Sequence, residues 1–133
     1  MTFAEIESLF AQCQSWEQRY RQLILLAKQL AKPEAHILAT LPLIEGCESQ
    51  LWFKLSYQEQ QWHCIAYSDA RILNGILFIL QTAINEASTE KLRSFSIAAL
   101  LQQLKIDQRL SETRLNGLKN IEKIISKIVN QSL

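Results

Sequence analysis

The chain has 133 residues, 48% of them apolar, with 14 Lys and Arg against 13 Asp and Glu. That length suits one domain over residues 1–133 with a sizeable core, and a net charge of +1 excludes a disordered charged tail and the polycationic footprint of a nucleic-acid binder. Three glycines and two prolines are too few for an all-β fold, since average composition gives roughly 16, so helices should dominate.

Thr2 followed by Glu5 predicts a capping box for a first helix with Phe3, Ile6, Leu9 and Phe10 as its apolar stripe. Ser15 and Gln18 repeat the capping signal. The second helix then carries Trp16, Tyr20, Leu23, Ile24, Ala27 and Leu30 on one face and stops before Lys32-Pro33. Residues 33–50 have no sustained period and read as a connection with one short strand leading into Gly46-Cys47. Leu51 to Tyr57 alternates, with Leu51, Phe53, Leu55 and Tyr57 on one face. Gln61 to Tyr67 follows the polar Gln58-Glu59-Gln60 turn as the return strand of a hairpin. Ser68 reads as the cap of a helix through Ile84 that is apolar almost all round and therefore central. Ser88, Ser96 and Ser111 read as caps of three later helices. The last shows the stripe Leu115, Leu118, Ile121, Ile125, Ile128 and Val129. The expected class is α+β: a small antiparallel sheet of about three strands flanked by helices.

Several chemistries find no support. The longest apolar run, Ile72 to Ile84, is broken by Asn74, Gln81 and Thr82, so no membrane span is expected. The opening Met-Thr-Phe-Ala-Glu lacks the pattern of a signal peptide. His36 and His63 stand at no metal-ligand spacing from a cysteine, and neither a phosphate-binding glycine loop nor a nucleophile elbow is present. Residues 67–133 hold 9 basic and 6 acidic side chains, and Lys119, Lys123 and Lys127 at four-residue spacing account for this as a solvated helix face.

The thiols remain. Cys13, Cys47 and Cys64 form no Cys-x-x-Cys pair, which suits a reducing compartment and a cytoplasmic location. Cys64 shares a strand face with Trp62 and Ala66 and reads as core, while Cys13 ends the first helix as a filler. Cys47 follows a glycine, lies in a loop and precedes an apolar strand. On these features it is either a reactive or a structural thiol. Gly75 and Gly117 interrupt strong helical periods, each just after an arginine, Arg71 or Arg114. They mark either close helix packing or helices lying beneath the Cys47 loop.

Four segments carry a resemblance: Trp16-Glu17-x-Arg19-Tyr20-x-x-Leu23-Ile24, Gly46-Cys47-Glu48-Ser49-Gln50-Leu51-Trp52, Ser68-Asp69-Ala70-Arg71-Ile72-x-x-Gly75, and Leu110-Ser111-x-x-Arg114-x-Asn116-Gly117-Leu118. In this order and spacing the chain resembles the SufE family of sulfur acceptors, including its CsdE branch, from Phe10 to about Ile128. The resemblance implies docking on a pyridoxal-phosphate cysteine desulfurase of the SufS or CsdA kind. It implies sulfur acceptance on Cys47, stimulation of the desulfurase, and relay to a downstream sulfur acceptor in iron–sulfur cluster assembly or another thiolation route. No cofactor is expected on this chain, which would be an accessory transfer protein and not a stand-alone enzyme.

Gly46, Asp69 and Arg114 are the supporting residues this implies. Arg114 is a candidate for favouring the Cys47 thiolate, and Asp69 for a structural cap or loop tether. The chain departs from a common family pattern at Tyr67, often acidic in members, at Gln102, acidic in some, and at Arg109, commonly a histidine. Two other readings compete: a regulator that acts on the desulfurase by contact alone, with Cys47 structural, and a thiol redox sensor using Cys13 or Cys64 as the resolving thiol.

Overall fold

A computed structural model describes residues 1–46 and 49–131. Among the described residues, seven helices and one hairpin run in the order α1 (Phe3–Ala11), α2 (Trp16–Gln29), α3 (Ala35–Leu38), β1 (Leu51–Gln58), β2 (Gln61–Ser68), α4 (Arg71–Glu86), α5 (Thr89–Arg93), α6 (Ile97–Gln103) and α7 (Glu112–Gln131). The class is α+β, as the residue pattern predicts.

Caps set most helix starts. Thr2 Oγ1 accepts from the Glu5 N–H at 3.2 Å while Glu5 Oε1 accepts from the Thr2 N–H at 3.2 Å, so the capping box is complete. Ser15 accepts from the Gln18 N–H, but the Gln18 side chain turns to the Gln14 N–H instead of closing a second box. Ser88, Ser96 and Ser111 accept from the amides of Lys91, Ala99 and Arg114, which places all three expected caps.

Ser68 is a correction. Helix α4 starts at Arg71 behind Ala70, which makes no side-chain cap. Ser68 is instead the last residue of β2, paired with Leu51, and it is fully buried. The sheet also has two strands where about three were expected. The short strand before Gly46 reduces to one antiparallel bridge, Leu43 to Trp52, with Ile44 N–H donating to the Leu51 carbonyl at 2.7 Å and Phe53 N–H to the Pro42 carbonyl at 3.2 Å. Pro42 has no N–H to extend that ladder. The short helix α3 within the same connection went unread, because four residues show no period.

The hairpin turns on two residues, Glu59 and Gln60, at φ of 54° and 63°. Positive φ at both positions matches the right-handed twist of the strands. Alternation then sends Leu51, Phe53, Leu55, Trp62, Cys64, Ala66 and Ser68 inward. Tyr57, at the turn end, is 51% exposed in spite of its register.

Helix α4 packs against β2, α2 and α1, the central position its apolar surface predicts. Gly75 explains how α2 comes so close: a Cβ there would stand 2.3 Å from the Leu23 carbonyl oxygen. Of the two readings of this glycine, close helix packing is the one observed. The buried face of α2 is Leu23 and Leu26, continued by Leu30 at its C-cap, with Tyr20 44% exposed, so the expected face is rotated. Helix α7 buries Leu118, Ile121, Ile125 and Val129, and its Glu122 accepts from the Ile97 N–H to hold the start of α6. Among the described residues no helix is long and apolar enough to cross a membrane.

Candidate functional site

Cys47 and Glu48 lie outside the described residues, but the chain on both sides of them is placed. Antiparallel pairing of 42–44 with 51–53 brings Glu45-Gly46 and Ser49-Gln50 to the end of the sheet opposite the Glu59-Gln60 turn.

On the N-terminal side, Gly46 has φ +85°, a conformation that favours glycine. A Cβ at Gly46 would stand 2.9 Å from Asn120 Nδ2. The same Asn120 amide donates to the Glu45 carbonyl at 2.7 Å, so α7 grips the backbone just before the Gly-Cys pair. Gly46 therefore has two reasons to lack a side chain.

On the C-terminal side, the Gln50 carbonyl accepts from Ser68 Oγ at 2.6 Å and from the Asp69 N–H at 3.3 Å. Ser68 Oγ also accepts from the Ala70 N–H at 3.1 Å. Asn74 fixes Ser68 in turn: its Oδ1 accepts from the Ser68 N–H and its Nδ2 donates to the Ser68 carbonyl, both at 2.8 Å. The start of α4, the end of β2 and the end of the loop thus form one buried knot.

The expected supporting residues divide. Gly46 borders Cys47 in sequence and is exposed. Asp69 is exposed and meets the loop through its backbone N–H, beside an open hollow of about 570 Å³ lined by Ala27, Lys28, Tyr67, Asp69, Arg71 and Asn74. Arg114 is half-buried in the first turn of α7. Arg114, Gly117 and Asn120 stand three residues apart on one slanting strip of that helix. With Asn120 on the loop, Arg114 sits about 9 Å along the axis from it.

The outward sheet face next to the loop carries Trp52 against Tyr67, with ring centroids 6.4 Å apart, and Lys32 Nζ 5.9 Å from the Tyr67 centroid. Tyr67 thus gives this edge of the loop an aromatic surface. Arg109, another departure, lies 5.8 Å from the centre of the Trp16 ring.

The two remaining thiols are unlike. Cys64 is buried beneath the hairpin, and burial pushes its thiol from 9.0 up to about 12. Cys13 is half-buried, its Sγ 3.4 Å from the Leu9 carbonyl oxygen. His63 and Cys64 take opposite faces of β2, and His36 pairs with Glu34 on the exposed side of α3. Among the described residues no group of three His, Cys, Asp or Glu is arranged to hold a metal.

Sequence reasoning missed Asn120 and the bonds that Asn74 makes to Ser68, and it read Ser68 wrongly as a helix cap. An asparagine inside a helix is a weak signal, since Asn competes for backbone hydrogen bonds and favours caps and turns. Asn74-Gly75 has the form of a turn dipeptide, yet Asn74 serves the strand end and Gly75 serves the helix contact.

Known proteins resemble this chain in sequence and in fold. The SufE family profile, described as "Fe-S metabolism associated domain", matches residues 4–129. An uncharacterized SufE-like protein of Haemophilus influenzae is 41% identical over 111 residues, covering 83% of this chain and 88% of its own. The sulfur acceptor protein CsdE of Escherichia coli is 32% identical over 132 residues, covering 98% and 90% respectively. The solution structure of a hypothetical protein from Thermus thermophilus superposes with a TM-score of 0.77 at 14% identity, over 98% of this chain and 97% of that one, a likeness of fold.

Proposed function

The chain belongs to the SufE family, and from that premise we propose that it accepts sulfur on Cys47 from a cysteine desulfurase. The observation that supports this reading is the anchoring of the described chain on either side of Cys47-Glu48: α7 holds Glu45 through Asn120, and the β2–α4 junction holds Gln50 through Ser68. A nucleophile that must meet another protein's reactive sulfur needs such a rigid mount.

In the step itself, the Cys47 thiol gives its proton to solvent and the thiolate attacks the outer sulfur of the partner's cysteine persulfide. A new S–S bond forms on Cys47, the partner's S–S bond breaks, and the partner's thiolate leaves and is reprotonated. No net oxidation occurs. A thiol near pKa 8.5 is only a few per cent ionised at neutral pH. Arg114, about two turns before Asn120 on α7, supplies positive potential on the side of the helix that meets the loop. Asp69 serves as the loop tether through its N–H. The desulfurase is of the SufS or CsdA kind, its turnover rises when sulfur is removed, and a downstream acceptor takes the sulfur toward iron–sulfur assembly or another thiolation route. The chain works in the cytoplasm.

Desulfurase turnover with and without this protein tests the reading, with Cys47→Ser alongside. Stimulation by the wild type that is lost in Cys47→Ser is expected. Equal stimulation by both would favour contact-only regulation. A redox-sensor reading loses one of its two resolving thiols, because Cys64 is buried and held protonated.

A further inference from the structure

The two stems of the 45–50 connection are held by unlike means. At Gln50 the bonds come from Ser68 and Asp69, with Ser68 buried and clamped by Asn74. At Glu45 and Gly46, beyond the Ile44–Leu51 bond, Asn120 reaches the backbone from among the described residues, half-buried on the flank of α7.

We propose that Asn120 is a positioning residue for Cys47, fixing the direction in which the chain enters the reactive thiol; this rests on the acceptor reading above. The Glu45 carbonyl and the Gly46 N–H belong to one planar peptide unit. A hydrogen bond to that carbonyl therefore orients the plane from which Gly46 departs. Glycine populates positive and negative φ about equally, so without a restraint the segment before Cys47 would sample both. Asn120 selects φ +85° from the outside, by its bond at 2.7 Å and by filling the space where a side chain would stand. The helix gains nothing from this choice, because asparagine is a poorer helix former than alanine by roughly 0.7 kcal/mol.

That conflict gives a signature that a structural role would not. Asn120→Ala should keep the thermal midpoint of the wild type or raise it. It should nevertheless lower kcat for sulfur uptake from a cysteine desulfurase about tenfold, with the KM for the desulfurase within about twofold, because misorientation affects the reacting geometry and leaves docking intact. Alkylation of Cys47 by iodoacetamide, resolved from Cys13 and Cys64 by peptide mass spectrometry, should become about threefold faster once the Glu45-Gly46 backbone is released. Asn120→Gln, which keeps the donor, should restore part of kcat. An unchanged kcat or an unchanged Cys47 alkylation rate in Asn120→Ala overturns the proposal. If the wild type takes up no sulfur, the acceptor reading fails and alkylation alone decides: faster in Asn120→Ala supports positioning, unchanged refutes it.

Discussion

Asn74 and Ser68 exchange two hydrogen bonds of 2.8 Å, the helix side chain serving both the N–H and the carbonyl of the last β2 residue. This clamp turns the end of a two-stranded sheet, marginal by itself, into a fixed point. The Gln50 carbonyl is bonded to the same Ser68, so sheet end and loop end share one anchor.

Asn74→Ala should therefore cost more than a surface helix substitution. It strands a buried N–H and a buried carbonyl, each worth about 1–3 kcal/mol when left unsatisfied. Urea unfolding should show a loss of about 2–4 kcal/mol. Sulfur uptake should fall as well, because the loop's C-terminal stem loses its reference point. A loss under about 0.5 kcal/mol would mean that water replaces the clamp.

Gly75→Ala offers a test with an unusual sign. In an exposed helix, Gly→Ala stabilises by about 1 kcal/mol. Here the added methyl would lie 2.3 Å from the Leu23 carbonyl oxygen, a backbone atom that cannot rotate away. Overpacking of this kind costs about 1–3 kcal/mol or more. A thermal midpoint lowered by roughly 5 °C or more is expected, and a raised midpoint would refute the close α2–α4 contact.

Helix caps and strand alternation were legible because each depends on a few neighbouring residues. Thr2 with Glu5, and Ser88, Ser96 and Ser111, behave as their local pattern dictates. The rotation of α2 was not legible. Its Leu23-Ile24-Leu25-Leu26 run is apolar in every direction, and the inward choice of Leu23 and Leu26 is made by α4, to which Gly75 admits the α2 backbone. Ser68 was misread for a related reason: a serine before a helix has the form of a cap, and only the partner strand shows that it belongs to the sheet. Next to the loop, Gly46 and Asp69 stand out in the sequence by motif, whereas Asn120 is 75 residues from Glu45 and gives no local sign.

Cys64 makes a pH-dependent contribution whose direction follows from its burial. Its folded value is raised from 9.0 to about 12, so between these values the unfolded thiol has lost its proton while the folded thiol keeps it. The folded state then binds more protons, and stability falls as pH rises. From pH 9 toward 12 the slope due to Cys64 should approach about 1 kcal/mol per pH unit, and it should vanish in Cys64→Ala. Chemical denaturation of both proteins across this range checks it; equal slopes would contradict the buried, protonated thiol. Sulfur acceptance should be unaffected by the substitution.

The central claim is that Cys47 carries the sulfur. Intact-protein mass spectrometry after incubation with a cysteine desulfurase, pyridoxal phosphate and cysteine tests it most directly, followed by peptide mapping. The wild type should gain the mass of one sulfur atom, mapped to Cys47, and Cys47→Ser should gain none. A sulfur mapped to Cys13, or equal gains in both proteins, would contradict the account.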